Sequence, residues 1–374
     1  MNALLQQAAQ RFPLIARPRP ACLPLRTRIA ELRDLGDAAA QGTSADHLTL
    51  ASETLNKAAL IASDCGDSAM ARSLCWRHFD AYRPAWPLAA PQARSVLEPL
   101  VNLARLAIRE HDGHRGYHLL NALFYAVATR SEADTDGCRI SFDTFTRSSD
   151  DLQTVRTWLW GVFLTEGIRA LISAGRWHRA VAHAEKYRGV GQRLLDGRQA
   201  AIVAHCLAGH TDTALALVAD SAPAQPWEQA IADCLGALCS QAAGRSTGDT
   251  LTRVQRLYFD LDRTPGLQVF NTRLGLTIID LASNTDQATA ERTHTFLISE
   301  TLATADGYAA RDVLAYDGCK AKLTESEKRA LTSAVQSAGL GLGAIPALLM
   351  DHLLSAVKTS ETVIKRSLDV RVPK

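Results

Sequence analysis

The feature that most limits how this chain can fold is a spacing of glycines. Gly175 and Gly209 stand 34 residues apart, and each is followed five residues later by an alanine, Ala180 and Ala214. Gly66 followed by Ala71 has the same form. Each glycine lies between stretches whose apolar residues recur at the period of a helix with one buried face. Before Gly175, Val155, Trp158, Leu159, Val162 and Phe163 fall on one stripe, so these five are expected in a core, and Trp177 beyond the turn with them. A glycine can take the left-handed backbone that ends a helix and lets the next begin. The small alanines then let neighbouring helices approach closely. The pattern reads as helix, tight turn, helix, more than once.

Composition agrees with helix and with little else. Alanine, leucine and arginine dominate, and β-branched runs bounded by turn residues are nearly absent, so the chain is read as all-α. Its 374 residues suffice for two ordinary domains or one extended array, with the apolar and charged fractions (47% and 21%) of a folded chain. A formal charge of +2 is too near neutral for a protein that coats nucleic acid by charge, so direct nucleic-acid binding is not expected. Only eight of the 41 basic residues are lysine, a bias that points to a high-GC bacterial genome of the actinobacterial kind. The eight cysteines, Cys22, Cys65, Cys75, Cys138, Cys206, Cys234, Cys239 and Cys319, form no C-x-x-C pair. They read as buried thiols in a reducing compartment, the cytoplasm. The proline-broken amino terminus lacks the apolar core of a signal peptide, and no stretch is long enough to span a membrane.

Along the chain, residues 1–45 read as amino-terminal helices with a proline-rich connector, including a helix over 25–41. Residues 46–130 hold helix pairs. Residues 131–152 form a polar insertion with a turn signal at Asp136-Gly137, serving either as a lid or as a tolerated surface loop. Residues 153–304 carry the central helix pairs, and 305–374 supply capping helices, one opened by a Thr324/Glu327 capping box. Gly339, Gly341 and Gly343 follow no strand, which argues against a nucleotide-binding loop. His111, Asp112 and His114 lack a third partner and read as an interhelix turn. Six of the eight lysines follow residue 319, a solvated cap more readily than a nucleic-acid arm.

The 34-residue period and the small-residue turns resemble the tetratricopeptide repeat, in a degenerate form that covers about a third of the chain. The bulky consensus residues of that family's first helix are largely missing. The resemblance implies a right-handed superhelical array of antiparallel helix pairs, an α-solenoid, whose first helices line a concave groove that binds peptides. Carried over position by position, it marks Glu53, Asn56, Leu60, Ser63 and Asp64 in the early unit. It marks Val162, Thr165, Arg169, Ile172 and Ser173, then Asp196, Gln199, Val203 and Cys206, in the central ones. Adding Lys57 beside Asn56, and Arg193 from the charged Gly-rich connector, gives the candidate binding set: Glu53, Asn56, Lys57, Asp64, Arg169, Arg193, Asp196 and Gln199. An asparagine amide can hold a peptide backbone, and arginine or lysine a carboxylate. The alternative is that these groups pair among themselves.

No catalytic motif is present, so no catalytic residue, metal ligand or cofactor is expected. The expected function is that of a cytoplasmic scaffold or sensor binding a peptide or partner protein, with oligomeric state left open. A peptide-responsive regulator without its own DNA-binding domain is the alternative, since residues 1–45 do not supply a helix-turn-helix. An all-α enzyme of unknown reaction, its site assembled from distant helices, is the third.

Overall fold

The computed structural model describes residues 3–42 and 46–369. Residues 43–45 of the expected amino-terminal region and Lys374 of the lysine-bearing tail lie outside the described residues. In chain order the first helices are α1 (Ala3–Gln10), α2 (Leu25–Gln41), α3 (His47–Asp64), α4 (Ser68–Tyr82), α5 (Ala90–Arg109) and α6 (Gly113–Thr129). A hairpin, β1 (Glu132–Thr135) and β2 (Cys138–Ser141), precedes α7 (Ser149–Ser173). Then follow α8 (Trp177–Lys186), α9 (Asp196–Leu207), α10 (Thr211–Ala219), α11 (Pro226–Ala242), α12 (Gly248–Asp260) and α13 (Gln268–Ala282). The last are α14 (Gln287–Thr304), α15 (Gly307–Ala315), α16 (Asp317–Lys320), α17 (Glu325–Ser337) and α18 (Ala347–Asp369). The protein is all-α, with one small hairpin among the described residues.

The turn chemistry follows the sequence. Gly66, Gly175 and Gly209 take φ of +86°, +70° and +82°, the left-handed backbone that a side chain disfavours. Asp67, Asp112 and Ser148 cap α4, α6 and α7 by accepting from backbone N–H groups three residues on. Asp286 and Asp306 do the same for α14 and α15, and Thr324 with Glu327 forms the capping box of α17. Asp136 and Gly137, both at positive φ, close the hairpin. The hairpin segment is firmly packed. Ile140, Phe142 and Phe145 are buried, and Trp86 lies 4.9 Å from the Phe145 ring. Asp136 is held by Arg115 and, at 3.0 Å, by Arg72.

The chain divides into two compact units, each assembled from two separated segments. One comprises residues 24–175 with 339–374, the other residues 176–338 with 1–23. The helices flanking the Gly175 turn therefore belong to different units. In the 24–175 unit, α2 to α7 pack each against the next, α3 also touches α5, and α5 touches α7. The distant helix α18 closes this unit against α2, α3 and α4. The three glycines before it take positive φ, and the N–H groups of Gly341 and Gly343 bond the carbonyls of Asp64 and Cys65. That loop thus satisfies acceptors that the carboxyl end of α3 leaves open.

In the 176–338 unit, α8 to α15 pack in the same sequential way, with α9 on α11, α11 on α13 and α13 on α15. Its core runs through Ile202, Ile231, Leu235, Leu238, Val254, Tyr258 and Leu274, and Leu5, Phe12 and Leu14 of the amino-terminal segment join it. Ala180 and Ala214 are fully buried, as the spacing required. The stripe before Gly175 is corrected in part. Val155, Leu159 and Phe163 are buried, but Trp158, Val162 and Trp177 are only half-buried. Their positions fall at the edge of the helix contact, where a large ring covers apolar surface without being enclosed. Among the described residues no helix is long and apolar enough to cross a membrane. Seven of the eight cysteines are buried, and Cys138 of the hairpin is exposed.

Candidate functional site

Five of the eight candidate residues lie in the 24–175 unit, on α3 and α7 with α5 between them. A chain of hydrogen bonds crosses the three helices. Asn56 Nδ2 donates to Glu98 Oε2 at 2.9 Å, and Asn102 Nδ2 donates to Asn56 Oδ1 at 3.0 Å. Arg105 Nη1 donates to Asn102 Oδ1 and its Nε to Glu166 Oε1, both at 3.0 Å. Arg169 pairs with the second Glu166 oxygen at 3.8 Å. At one end of this ladder Arg94 pairs with Glu98 at 3.6 Å and lies 5.3 Å over the Trp158 ring. At the other, Arg109 donates to Ser63 Oγ at 2.9 Å and pairs with Asp64 at 3.6 Å. Asp64 is also bound by Arg28, and Lys57 pairs with Glu53 at 2.8 Å.

The ladder's charges are layered. The Arg94, Arg105 and Arg109 side chains keep 57%, 44% and 46% of their surface in water, whereas Glu166 keeps 10% and Asp64 5%. Cationic donors therefore stand above anchoring carboxylates. Exposed pairs of this kind contribute only about 0.2–1 kcal/mol each, so they set geometry more than stability. A guanidinium has five N–H donors, and a half-exposed one can add a carbonyl or carboxylate without losing its anchor.

Beneath the ladder the packing is tight. Ser52 Oγ and the Tyr82 hydroxyl lie 2.6 Å apart, and burial raises the Tyr82 pKa above the ordinary phenol value. His78 is fully buried, neither ring nitrogen has a partner among the described residues, and burial pushes its pKa down to about 3.

The other three candidates, Arg193, Asp196 and Gln199, lie in the 176–338 unit, and two of them bind the chain's own amino-terminal segment. Gln199 is fully buried. Its Oε1 accepts from Leu14 N at 2.7 Å and its Nε2 donates to Leu14 O at 2.9 Å and to Leu194 O at 2.7 Å. The amide thus grips the Leu14 backbone from both sides, as a neighbouring strand would. Asp196 pairs with Arg17 at 2.5 Å. Arg193 is taken by the buried Glu228, whose second oxygen also accepts from Leu194 N at 3.3 Å. Further along, Arg19 N donates to Gly266 O at 3.0 Å, Cys22 N to Asp306 Oδ2 at 2.7 Å, and Gly307 N to Cys22 O at 2.9 Å. Arg11 pairs with Asp280 and lies 5.6 Å over the Tyr316 ring.

Glu98, Asn102, Arg105 and Glu166 complete the ladder but were not among the candidates from sequence. On α5 a signal was present. Glu98, Asn102, Arg105 and Arg109 recur at i, i+4, i+7 and i+11 in a helix otherwise apolar from Val96 onward, a polar stripe. His111 and Asp112 lie in the turn between α5 and α6, but His114, expected there too, falls in the first turn of α6, because Asp112 caps the helix by accepting from Arg115 N at 2.9 Å. Among the described residues no group of three or more His, Cys, Asp or Glu is placed to hold a metal ion. No family model, no curated protein and no solved structure matches this chain.

Proposed function

We propose that this protein is a tetratricopeptide-like helical-repeat interaction protein, a solenoid of helix pairs that acts in a bacterial cytoplasm as scaffold or sensor. The face of α3, α5 and α7 binds an extended segment of a peptide or partner protein. The observation that carries this reading is the hydrogen-bonded ladder from Glu98 to Arg169. Asparagine amides of α3 and α5 and half-exposed arginines of α5 are joined in it to Glu166 and Arg169 of α7. Asn56 and Asn102 would bond the ligand backbone, as side-chain amides can donate and accept at once. Arg94, Arg105 and Arg109 would hold its carboxylates or carbonyls. The sequential packing of helices in each unit and the positive-φ glycines at the turns support the array.

The test is selection of peptides from a displayed library on the full-length protein, followed by affinity measurement on wild type and on Asn102→Ala/Arg105→Ala. The reading predicts a selected peptide that binds wild type and binds the variant at least about tenfold more weakly, with unchanged circular dichroism. Equal binding to both would overturn it.

A further inference from the structure

The amino-terminal segment of the 176–338 unit is arranged as a bound peptide is arranged. From Pro13 to Pro24 it has no helix or strand of its own, and Pro13, Pro18, Pro20 and Pro24 prevent one. Its path is fixed from outside, by backbone bonds to Gln199, Gly266 and the cap of α15. Phe12, Leu14 and Cys22 are buried anchors, while Pro18, Arg19 and Pro20 between them are exposed. The charges are complementary: Arg11 and Arg17 of the segment meet Asp280 and Asp196, whose side chains are 0% and 3% exposed. An interior built only for packing would place apolar groups there. Buried carboxylates and a buried glutamine amide oriented to an extended backbone are features of a recognition site.

We propose that the face of α9, α13 and α15 is a receptor groove for an extended peptide, and that residues 11–23 are its resident, displaceable occupant. This proposal is independent of the reading of the α3, α5 and α7 face. The ligand it fits is a segment in which an arginine precedes an aromatic-proline-aliphatic triplet, with a second arginine three residues after the aliphatic one. Gln199 selects an extended backbone at the aliphatic position. Asp280 and Asp196 select the two arginines. A tethered occupant competes at high effective concentration, so an external peptide binds the intact protein only to the extent that the resident segment is out.

The experiment titrates a fluorescent synthetic peptide of residues 9–23 into the full-length protein and follows anisotropy. Two full-length variants weaken the resident segment, Leu14→Asp/Arg17→Glu and the milder Arg11→Ala/Arg17→Ala, which leaves the buried anchors intact. The expected result is weak binding to wild type and binding to either variant tighter by roughly 100-fold, the factor for a resident segment seated 99% of the time. Adding Gln199→Leu to the variant should abolish this gain, and a peptide carrying Arg17→Glu should not bind. The proposal is overturned if a variant with native circular dichroism fails to take up the peptide. It is equally overturned if both variants lose amide protection throughout α9 to α15, because the segment would then be a fixed part of the fold.

Discussion

The two units differ in what the polar side chains on their helices bond. In the 176–338 unit, α9, α13 and α15 hold an extended stretch of the same chain, whose backbone and arginines bond Gln199, Asp196, Asp280 and Asp306. In the 24–175 unit, polar groups of α3, α5 and α7 bond one another across the helices, Asp64 is also bound by Arg28 of α2, and three arginines are half in water. Under the two proposals, the first would be a face that has its ligand, with buried acceptors and bidentate backbone capture, and the second a face that holds its donors in place by mutual pairing. The difference teaches where an external partner has access, and it places Gln199 and Asn56, which look alike in sequence, on opposite sides of that division.

The largest effects should come from two glycines, one in each unit. A Cβ at Gly113 would lie 2.2 Å from the Ala170 carbonyl oxygen, and one at Gly197 would lie 2.3 Å from that of Gly189. Both neighbours are backbone, so Gly113→Ala and Gly197→Ala should each cost about 3 kcal/mol or more in denaturant unfolding. Gly113→Ala, at the contact of α6 with α7, should also abolish peptide binding at the ladder. Gly197→Ala should instead release the amino-terminal segment to protease. Identical consequences for both would break the comparison.

A smaller effect is expected from Ala214→Leu, which overpacks a fully buried site in the 176–338 unit and should cost about 1–3 kcal/mol. The ladder's affinity for a selected peptide should be unchanged by it.

Acid separates the units through their buried histidines. His78 is pushed down to about 3 and His294 to about 4, both by burial, from an ordinary value of 6.5. Between those values the unfolded chain binds a proton that the folded chain refuses, so stability is complete above pH 6.5 and falls as pH drops toward 3 or 4. His78 has no partner to lose, whereas His294 Nδ1 lies 3.4 Å from Cys319 Sγ. His78→Leu should therefore be near neutral at pH 7.5 and remove about 1.5 kcal/mol of the decline between pH 6.5 and 5. His294→Leu should destabilise at both pH values. Denaturant midpoints across that range check both.

The smallest change in stability, about 1 kcal/mol, is expected for Arg105→Ala, because its guanidinium is half in water and Glu166 keeps its pairing with Arg169. Its peptide affinity should nonetheless fall about tenfold, which separates a binding role from a structural one.

Local features were readable in the sequence and long-range ones were not. Helix periodicity, the glycines at +70° to +86°, the Thr324/Glu327 box and the Asp136-Gly137 hairpin turn each depend on a few consecutive residues. The closure of each unit by a segment from the opposite end of the chain depends on contacts between residues such as Leu14 and Gln199, 185 positions apart. Nothing local encodes that pairing. The Gly175 spacing did not show that α7 and α8 fall in different units, but helix periodicity placed Asn56, Arg169 and Gln199 on helices, α3, α7 and α9. Their partners Glu98, Asn102 and Arg105 sit on α5, where the polar stripe was visible but no glycine of the 34-residue pattern drew attention to it.

The most direct test of the contrast between the two faces is photo-crosslinking with a selected peptide that carries a benzophenone side chain, followed by mass-spectrometric mapping on the full-length protein. The account predicts crosslinks confined to α3, α5 and α7, with residues 11–23 still protected from protease. Crosslinks on α9, α13 and α15 with none on the ladder, or crosslinks scattered over both units, would contradict it.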